Sequence, residues 1–311
     1  MAKRATAKKS AAKKPPAKRA AKGQFEVVRL DGRRRQVASS LAGTEKGWQE
    51  GKECFLFVGA HDDDVVMSGA LAIQSALADG VNVHTAIVTD GSMGYCDLSV
   101  MEHISQIRRV EAYSSYQMLG LTTKQIHWLG FPDCRLSLYQ GRRHAMGEEK
   151  PQSFGHTGLQ HAFTELLRAV RPTRLFMPTA ADLHPDHRSV HQEMMISMFH
   201  AAGSIWPELG MPLAAPPVLY ELAVYCDFPA PPTHRITAAR EQFKKKLDAV
   251  MAFKSQLQIG SLIKVLEDAG PQEMLRRWEF VPYNSGSYNR LFGPSRIKAA
   301  MPAEKAAKHR R

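Results

Sequence analysis

The stretch CFLFVGAHDDD, residues 54–64, places a run of apolar residues directly before a cluster of polar ones. Residues 54–58 are continuously apolar, which is typical of a strand that is covered on both faces of a sheet. Gly59 and Ala60 end the run, and His61 and three aspartates follow at once. The pattern predicts a buried strand whose C-terminal end carries side chains that can bind a metal or move a proton.

Helices and strands alternate after this stretch. Residues 66–79 predict a helix that ends at Gly80, and residues 81–89 predict a second strand. The alternation continues with a helix over about 100–119, a strand over 126–129, a helix over 158–170 and a strand over 175–177. We therefore predict an α/β fold, a Rossmann-like three-layer sandwich with a mostly parallel sheet flanked by helices. Ligands in open sheets of this type bind at the carboxyl ends of the strands.

Two clusters of histidine and carboxylate follow strands of this predicted sheet. Residues 61–64 (HDDD) follow the first strand, and residues 184–187 (HPDH) follow the fourth. Either tetrapeptide alone is also compatible with a turn whose aspartate caps the next helix. Several carboxylates and imidazoles in one crevice, however, are costly to bury unless a metal or charge pairing compensates them. Their joint placement favours a metal site.

The spacing within each cluster narrows the choice of ligands. A catalytic zinc takes three protein ligands from His and Asp or Glu, and it leaves a fourth position for water. Residues three apart return to one side once a helix begins, so His61 pairs with Asp64 and His184 pairs with His187. One histidine of the second pair is then a ligand, and the other is an acid.

The two clusters resemble the marks of a known family. An AHPDDE segment after the first strand and a later HPDH segment are typical of the PIG-L (LmbE-like) family of zinc-dependent N-acetylglucosamine de-N-acetylases. Here residues 60–65 are AHDDDV and residues 184–187 are HPDH. The similarity extends over about residues 53–256 and includes these further segments: 89–92 (TDGS), 109–111 (RVE), 119–120 (LG), 129–133 (LGFPD) and 246–256 (KLDAVMAFKSQ), the last similar to a late helix of the family.

The resemblance implies a metal-dependent deacetylase. When the ligand positions of the family are carried over to this sequence, the resemblance implies that His61, Asp64 and His187 bind zinc. Another divalent metal is the alternative. The implied substrate is an N-acetylated amino sugar or its glycoconjugate. An acyl-amino compound of another kind is the alternative, which the sequence does not separate from it.

The same resemblance implies the proton-transfer residues. Asp63 is the general base, and His184 is the general acid or oxyanion stabiliser. Asp186 is implied to orient His184 and to hold it cationic.

Two residues depart from the family pattern. Asp62 replaces the usual proline, and Val65 replaces the usual glutamate. A third acid could raise the pKa of Asp63, shift the ligand assignment by one residue or point into solvent. We expect Asp62 to point into solvent, since every residue assigned to metal or proton transfer is present.

Other residues have weaker support. Asp90 is either a turn former or a cleft residue, and Arg109 and Glu111 form either a structural salt bridge or substrate contacts. Residues 130–158 are too many for a simple connector, so they predict a lid or a pocket wall. Trp206 could supply a sugar-stacking wall.

The net charge of +12, from 42 Lys and Arg against 30 Asp and Glu, belongs to the two ends of the chain. Residues 1–22 hold nine basic residues and no acid, and residues 296–311 hold six basic residues and one acid, so the body is slightly acidic. We predict a disordered basic tail over 1–22, a single PIG-L-like domain over 23–295 and a basic C-terminal tail over 296–311. The tails could make weak electrostatic contact with nucleic acid or an anionic surface.

A cytoplasmic location is expected, because no apolar run approaches a membrane span and no secretory leader is present. Four scattered cysteines without a C-x-x-C pair fit free thiols. The oligomeric state is left open. The rival hypothesis is a non-catalytic or nucleic-acid-associated protein of the same fold, whose basic tails supply its function.

Overall fold

The computed structural model describes residues 23–149, 153–279 and 283–292. They belong to two compact units, one up to Trp278 and one from Glu279 onward. The predicted tails over 1–22 and 296–311 lie outside the described residues, and the predicted domain over 23–295 stays a prediction.

The strands of the first unit are β1 Phe25–Asp31, β2 Arg34–Ala38, β3 Cys54–Gly59, β4 Asn82–Thr89, β5 Ile126–Phe131, β6 Arg143–His144, β7 His156–Thr157, β8 Arg174–Pro178, β9 Val218–Leu222, β10 His234–Ala238 and β11 Gln272–Trp278. Nine of them form one sheet in the order β2-β1-β10-β11-β9-β8-β3-β4-β5. The run from β9 to β5 is parallel, and the run from β2 to β9 is antiparallel. The short strands β6 and β7 form a separate hairpin.

The helices of the first unit are α1 Asp64–Ala78, α2 Ile104–Met118, α3 Leu159–Val170, α4 Pro185–Ala202, α5 Arg240–Val250 and α6 Ile259–Ala269. One face of the sheet packs against α1, α2 and α5, and the opposite face packs against α3 and α4. The predicted α/β sandwich with helices on both faces is therefore confirmed. The antiparallel half of the sheet was not predicted.

Aromatic rings fill the core beneath the first of these faces. Phe57 stacks on Phe176 with ring centroids 4.2 Å apart, and Phe176 stacks on Tyr220 at 4.9 Å. These rings come from β3, β8 and β9, so they join three adjacent parallel strands. The carboxyl ends of these strands are thereby held in a fixed relation.

Two helix boundaries differ from those expected. The helix predicted over 100–119 begins only at Ile104, because Leu98–His103 form a 3-10 turn whose Ser99 amide donates to the Asp97 side chain. The helix predicted over 246–256 ends at Val250. Beyond the helix, the Ser255 amide donates to the Glu111 side chain at 2.8 Å instead of to a helical carbonyl.

The second unit is short in its described part. It contains a 3-10 turn, Ser285–Tyr288, followed by α7 Asn289–Phe292. Within the described ranges of the whole chain, no helix has both the length and the apolar character that a membrane span needs.

A buried ion pair ties the antiparallel half of the sheet to the helical layer. Glu273 on β11 lies 2.7 Å from Lys246 on α5, and both side chains are almost fully buried. The same carboxylate accepts hydrogen bonds from the amides of Leu71 and Ala72 on α1. One side chain therefore connects three elements of the fold.

The substitution Glu273→Gln is expected to lower the free energy of unfolding by about 3 kcal/mol, because it leaves the buried Lys246 ammonium without its counter-charge. Urea unfolding followed by circular dichroism measures this change. The matched control is Asp248→Asn, which breaks the exposed pair with Lys244 and should cost less than about 1 kcal/mol. Equal effects of the two substitutions would contradict the expected importance of the buried pair.

Candidate active site

The site lies at the carboxyl ends of the adjacent parallel strands β3 and β8. At this point the chain continues to strands on opposite sides of β3. β4 and β5 follow β3 on one side, whereas β8 lies on the other side. His61 sits in the tight turn between β3 and α1. A Cβ on Gly59 would come within 2.7 Å of the His61 carbonyl oxygen, so the close turn requires glycine there. This is the topological switch point at which open α/β sheets bind ligands.

Three buried atoms with lone pairs converge in this crevice. Asp64 Oδ2 lies 3.6 Å from His61 Nδ1 and 3.2 Å from His187 Nε2, and the two ring nitrogens are 3.2 Å apart. Asp64 Oδ1 is buried and accepts no hydrogen bond. These donor types and spacings fit one divalent ion bound by three protein ligands, so the predicted ligands do come together.

Carboxylates face the outer nitrogen of each histidine. His61 Nε2 lies 3.2 Å from Asp133 Oδ1 and 3.6 Å from Asp186 Oδ2. His187 Nδ1 lies 3.1 Å from Asp182 Oδ2. When neutral, each ring can carry its proton on the outer nitrogen beside a carboxylate and present the inner nitrogen as a ligand, although His187 Nδ1 and Asp133 Oδ1 make no hydrogen bond in this structure.

The charges of the three converging residues reinforce one another. Burial disfavours the protonated form of His61, but Asp64, Asp133 and Asp186 outweigh it and raise the pKa of His61 well above its ordinary value. Burial alone would raise the pKa of Asp64, yet His187 and His61 hold it well below its usual range. The crevice thus keeps Asp64 ionised.

Asp63 lies beside this cluster at the start of α1. Its side chain makes no capping hydrogen bond to the helix. Its Oδ1 lies 3.3 Å from Nη2 of Arg108, a buried residue of α2. The carboxylate is therefore next to the ligand Asp64 in sequence and is held by a cation from another helix.

His184 is half-buried next to the cluster, with its ring centroid 4.7 Å from that of His61. Its Nδ1 accepts the backbone N–H of Asp186 at 3.2 Å, so its proton lies on Nε2. Burial, followed by the charges of His61 and His187, lowers the pKa of His184. The neutral ring is thus set to donate a hydrogen bond from Nε2.

The Asp186 carboxylate contacts residues other than the one expected. It accepts the amide N–H groups of Cys134 at 2.8 Å and Leu136 at 3.2 Å. Only the backbone of Asp186 contacts the His184 ring. Asp186 therefore fixes the loop after β5 and faces His61, while its predicted effect on the charge of His184 stays a prediction.

The expectation that Asp62 points into solvent is wrong. Asp62 is 1% exposed, and both of its carboxylate oxygens bind the Arg108 guanidinium, one of them accepting from Nε at 3.0 Å. Burial raises the pKa of Asp62 to about 6 despite this pairing. A solvent-facing acid was expected because every residue assigned to metal or proton transfer is present without it. The fold brings Arg108, which is far away in sequence, to the β3–α1 turn. Val65 packs in the core on α1.

The weaker candidates have structural roles. Asp90 Oδ1 accepts the amides of Ser92 and Asp133, as a turn former does. Glu111 accepts both the amide and the hydroxyl of Ser255. The Arg109 guanidinium lies over the Trp128 ring at 5.0 Å, so the cation that reaches the site is Arg108.

The described residues of the long segment over 130–158 are held by contacts at more than one place. Its first part is held at the site by Asp186, and a later amide, that of Gly141, donates to Glu193 at 2.7 Å. Arg142 pairs with Glu208 and lies over the Trp206 ring at 4.5 Å. Trp206 therefore packs against a protein cation, and its predicted role as a sugar platform stays a prediction.

Four residues near the site were not assigned a role from the sequence: Arg108, Asp133, Asp182 and Tyr225. Tyr225 follows β9 and stacks on the His187 ring at 5.1 Å, where it forms a wall of the crevice. Asp182 stands two residues before the HPDH segment, and Asp133 ends the LGFPD segment. Their positions at strand ends were the available signal. Nothing in the local sequence around Tyr225 marks it.

Residues 56–198 match the model of the PIG-L family, described as GlcNAc-PI de-N-acetylase. The match confirms the family resemblance over this segment. Diacetylchitobiose deacetylase of Thermococcus kodakarensis is 29% identical over 137 residues, 43% of this chain and 44% of the relative. 1D-myo-inositol 2-acetamido-2-deoxy-alpha-D-glucopyranoside deacetylase 1 of Catenulispora acidiphila is 26% identical over 172 residues, 49% of this chain and 52% of the relative. The chain thus spans about half the length of these curated relatives.

Solved structures share the fold at low sequence identity. N,N'-diacetylchitobiose deacetylase from Pyrococcus horikoshii aligns with a TM-score of 0.56 and 20% identity, over 75% of this chain and 88% of that one. GalB, the 4-carboxy-2-hydroxymuconate hydratase of Pseudomonas putida, aligns with the same TM-score and 15% identity, over 75% and 99%. Enzymes of two reaction types share the fold, so the residues of the site, and not the fold, determine the reaction.

The substitution Asp182→Asn is expected to weaken zinc binding about 10- to 100-fold, because the amide no longer fixes the outer proton of His187. Competition against a chelator of known affinity measures this change. Asp248→Asn, on an exposed helix surface, is the control and should leave zinc affinity unchanged. Equal zinc affinity of the Asp182 variant and the unaltered chain would contradict the proposed tautomer of His187.

Proposed function

We propose that the chain is a metal-dependent hydrolase that removes an N-acetyl or similar N-acyl group from an amino sugar or its conjugate, since residues 56–198 match the model of the PIG-L family. The observation that carries the proposal is the convergence of His61 Nδ1, Asp64 Oδ2 and His187 Nε2 within 3.6 Å. A base and an acid, Asp63 and His184, flank these three atoms. Metal-dependent amide hydrolysis uses this combination of parts.

Zinc is the proposed ion, held by His61, Asp64 and His187, and other divalent metals are alternatives. The mixed nitrogen and oxygen donor set suits zinc. When bound, the ion lowers the pKa of water and polarises the acyl carbonyl. Asp133 and Asp182 support the two histidines from their outer nitrogens.

Asp63 is the proposed general base. Arg108 Nη2 lies 3.3 Å from its Oδ1, which leaves Oδ2 to accept the proton of the attacking water. The water oxygen forms the new bond to the acyl carbon as this proton moves to Asp63. Arg108 also neutralises part of the negative charge that Asp63 shares with two further aspartates.

His184 is the proposed acid and oxyanion donor. Its Nδ1 is occupied by the Asp186 amide, so Nε2–H is the group that can stabilise the negative oxygen of the tetrahedral intermediate. As the carbon–nitrogen bond breaks, the departing amine takes the proton that Asp63 accepted from water, and the products are a carboxylate and an amine. Since Nδ1 of His184 accepts the Asp186 amide, the hydrogen bonds of the ring favour the role of oxyanion donor over that of acid.

The proposed substrate class is an N-acetylated amino sugar or glycoconjugate. Both curated relatives are named as deacetylases of such compounds. An acyl-amino compound of another kind remains the alternative for the same chemistry. A cytoplasmic location and tail contacts with nucleic acid or an anionic surface stay predictions.

The rival proposal is a non-catalytic or nucleic-acid-associated protein. Two observations favour the enzyme: His184 caps α4 through Nδ1 and has its Nε2 outside that bond, and Asp63 makes no helix-capping bond. The Nε2 of His184 and the Asp63 carboxylate are therefore not needed to cap a helix. A salt-titrated DNA-binding assay of the full chain and of a chain that lacks residues 1–22 tests the rival.

The substitution Asp63→Asn is expected to lower kcat for acetate release about 10²- to 10⁴-fold, because the amide cannot accept the proton of water. N,N'-diacetylchitobiose and N-acetylglucosaminyl-inositol are suitable probes, with acetate measured by a coupled assay. Asp90→Asn removes an aspartate that holds a turn at the same sheet edge, and it should retain most activity in its folded fraction. An unchanged kcat in the Asp63 variant would overturn its role as base. Absence of acetate release from the unaltered chain with every N-acetyl amino-sugar probe would overturn the substrate class.

Removal of divalent metal by dialysis against a chelator is expected to abolish acetate release, and zinc should restore it. Metal content is measured by mass spectrometry before and after each step. The Asp64→Asn variant is the matched control, because its activity should stay absent after zinc is returned. Full activity in a chain stripped of metal would contradict the proposed mechanism.

A further inference from the structure

Arg108 lies between two adjacent carboxylates of the β3–α1 turn. Asp62 binds both its Nε and its Nη2, and Nη2 also lies 3.3 Å from Asp63 Oδ1. The Arg108 side chain is 6% exposed, and that of Asp62 is 1% exposed. One guanidinium therefore links a carboxylate with no assigned role to the proposed base.

The backbone around Arg108 leaves its side chain little freedom. The loop after β4 passes over the guanidinium through Gly91 and Gly94, and a Cβ on Gly94 would overlap Arg108 Nη1. Gln256 Nε2 donates to the Gly94 carbonyl at 2.7 Å and holds this loop in place. The site is thus shaped around an extended arginine.

Asp62 is fixed from a second direction. The hydroxyl of Tyr116, which is fully buried on α2, donates to the Asp62 carbonyl at 3.1 Å. Arg108 is on the same helix. Helix α2 therefore contacts both the backbone of Asp62, through Tyr116, and its side chain, through Arg108. These contacts fix the turn that contains Asp63.

We propose that Asp62 is a positioning residue that holds Arg108 against Asp63 and so fixes which carboxylate oxygen of the base faces the substrate. This inference rests on the proposed hydrolase function. A two-point contact from Asp62 fixes the plane of the guanidinium, which a single contact does not. Nη2 then engages Asp63 Oδ1, and Oδ2 is left for proton transfer.

A purely structural pair would have a different signature. Buried ion pairs stabilise a fold little relative to apolar replacements, but loss of one partner is costly. A structural pair would thus change the stability of the folded chain without changing the chemistry of the molecules that stay folded. A positioning pair lowers kcat in molecules that are folded and loaded with metal, because a small displacement of a reacting group costs rate.

The test compares Asp62→Asn, Arg108→Lys and the double variant with the unaltered chain. The asparagine keeps the shape of Asp62 but loses its charge, and the lysine keeps the charge of Arg108 but loses the planar fork. Glu273→Gln is the matched control, because it also removes one carboxylate from a buried ion pair but lies on β11. Measurements are kcat, KM, zinc per chain, the thermal midpoint and a crystal structure of the Asp62 variant.

Asp62→Asn is expected to lower kcat about 10- to 100-fold, with KM within about twofold of its original value and zinc content unchanged. Glu273→Gln should lower the thermal midpoint and leave kcat unchanged. The double variant should be no slower than the slower single variant, because both substitutions act through one contact. The crystal structure should show Arg108 Nη2 withdrawn from Asp63 Oδ1.

Several outcomes would overturn the inference. They are an unchanged kcat in Asp62→Asn, additive effects in the double variant, or an Arg108–Asp63 contact that persists in the crystal structure. Should Asp62→Asn fail to fold, an Arg108→Lys variant with full kcat would overturn it as well. An unaltered chain that binds zinc but releases no acetate from any probe would instead refute the proposed function, and the inference would fall with it.

Discussion

The structure depends on the close approach of three buried atoms, His61 Nδ1, Asp64 Oδ2 and His187 Nε2, which lie within 3.6 Å of one another. Lone pairs at this spacing repel unless a cation or a proton lies among them. Asp133 and Asp182 lie beside the outer nitrogens of the two histidines, so a neutral ring that carries its proton there leaves the inner space to a cation. The tight β3–α1 turn and the start of α4 both follow from this requirement, since each must bring a histidine to the same point.

The aspartates around these three atoms differ in the groups that they contact. Asp64 faces the proposed ion, whereas Asp133 and Asp182 face the histidines, and the Asp186 carboxylate anchors the loop after β5. So many acids in one crevice would repel one another without cations between them. Arg108 supplies one of these cations, and Asp62 fixes where its charge lies. The positions of the side chains are thus set by charge pairing as much as by packing.

The parallel half of the fold could be predicted because each of its strands is an apolar run that ends in glycine or polar residues. The antiparallel half could not, since residues 34–38 are polar and mostly exposed along one edge. In the site, the two tetrapeptides marked the residues that converge there. The burial of the Asp62 side chain was not predicted, because its partner Arg108 is 46 residues away on another helix. No local sequence pattern marks a contact that forms only on folding. The contacts of Asp186 were missed for the same reason.

The contacts of Arg108 with Asp62 and Asp63 also affect which substrate charge the site can accept. An anionic substrate calls for an available cation in the cleft. Here the Arg108 guanidinium is buried and engaged by Asp62 and Asp63, so it has no free fork to offer an incoming carboxylate. Asp63, Asp133 and Asp186 would moreover repel an anion that approached His61. A neutral amide, whose charge develops only on the oxygen facing His184 during attack, is compatible with this field, and an acyl group on an amino sugar is such an amide.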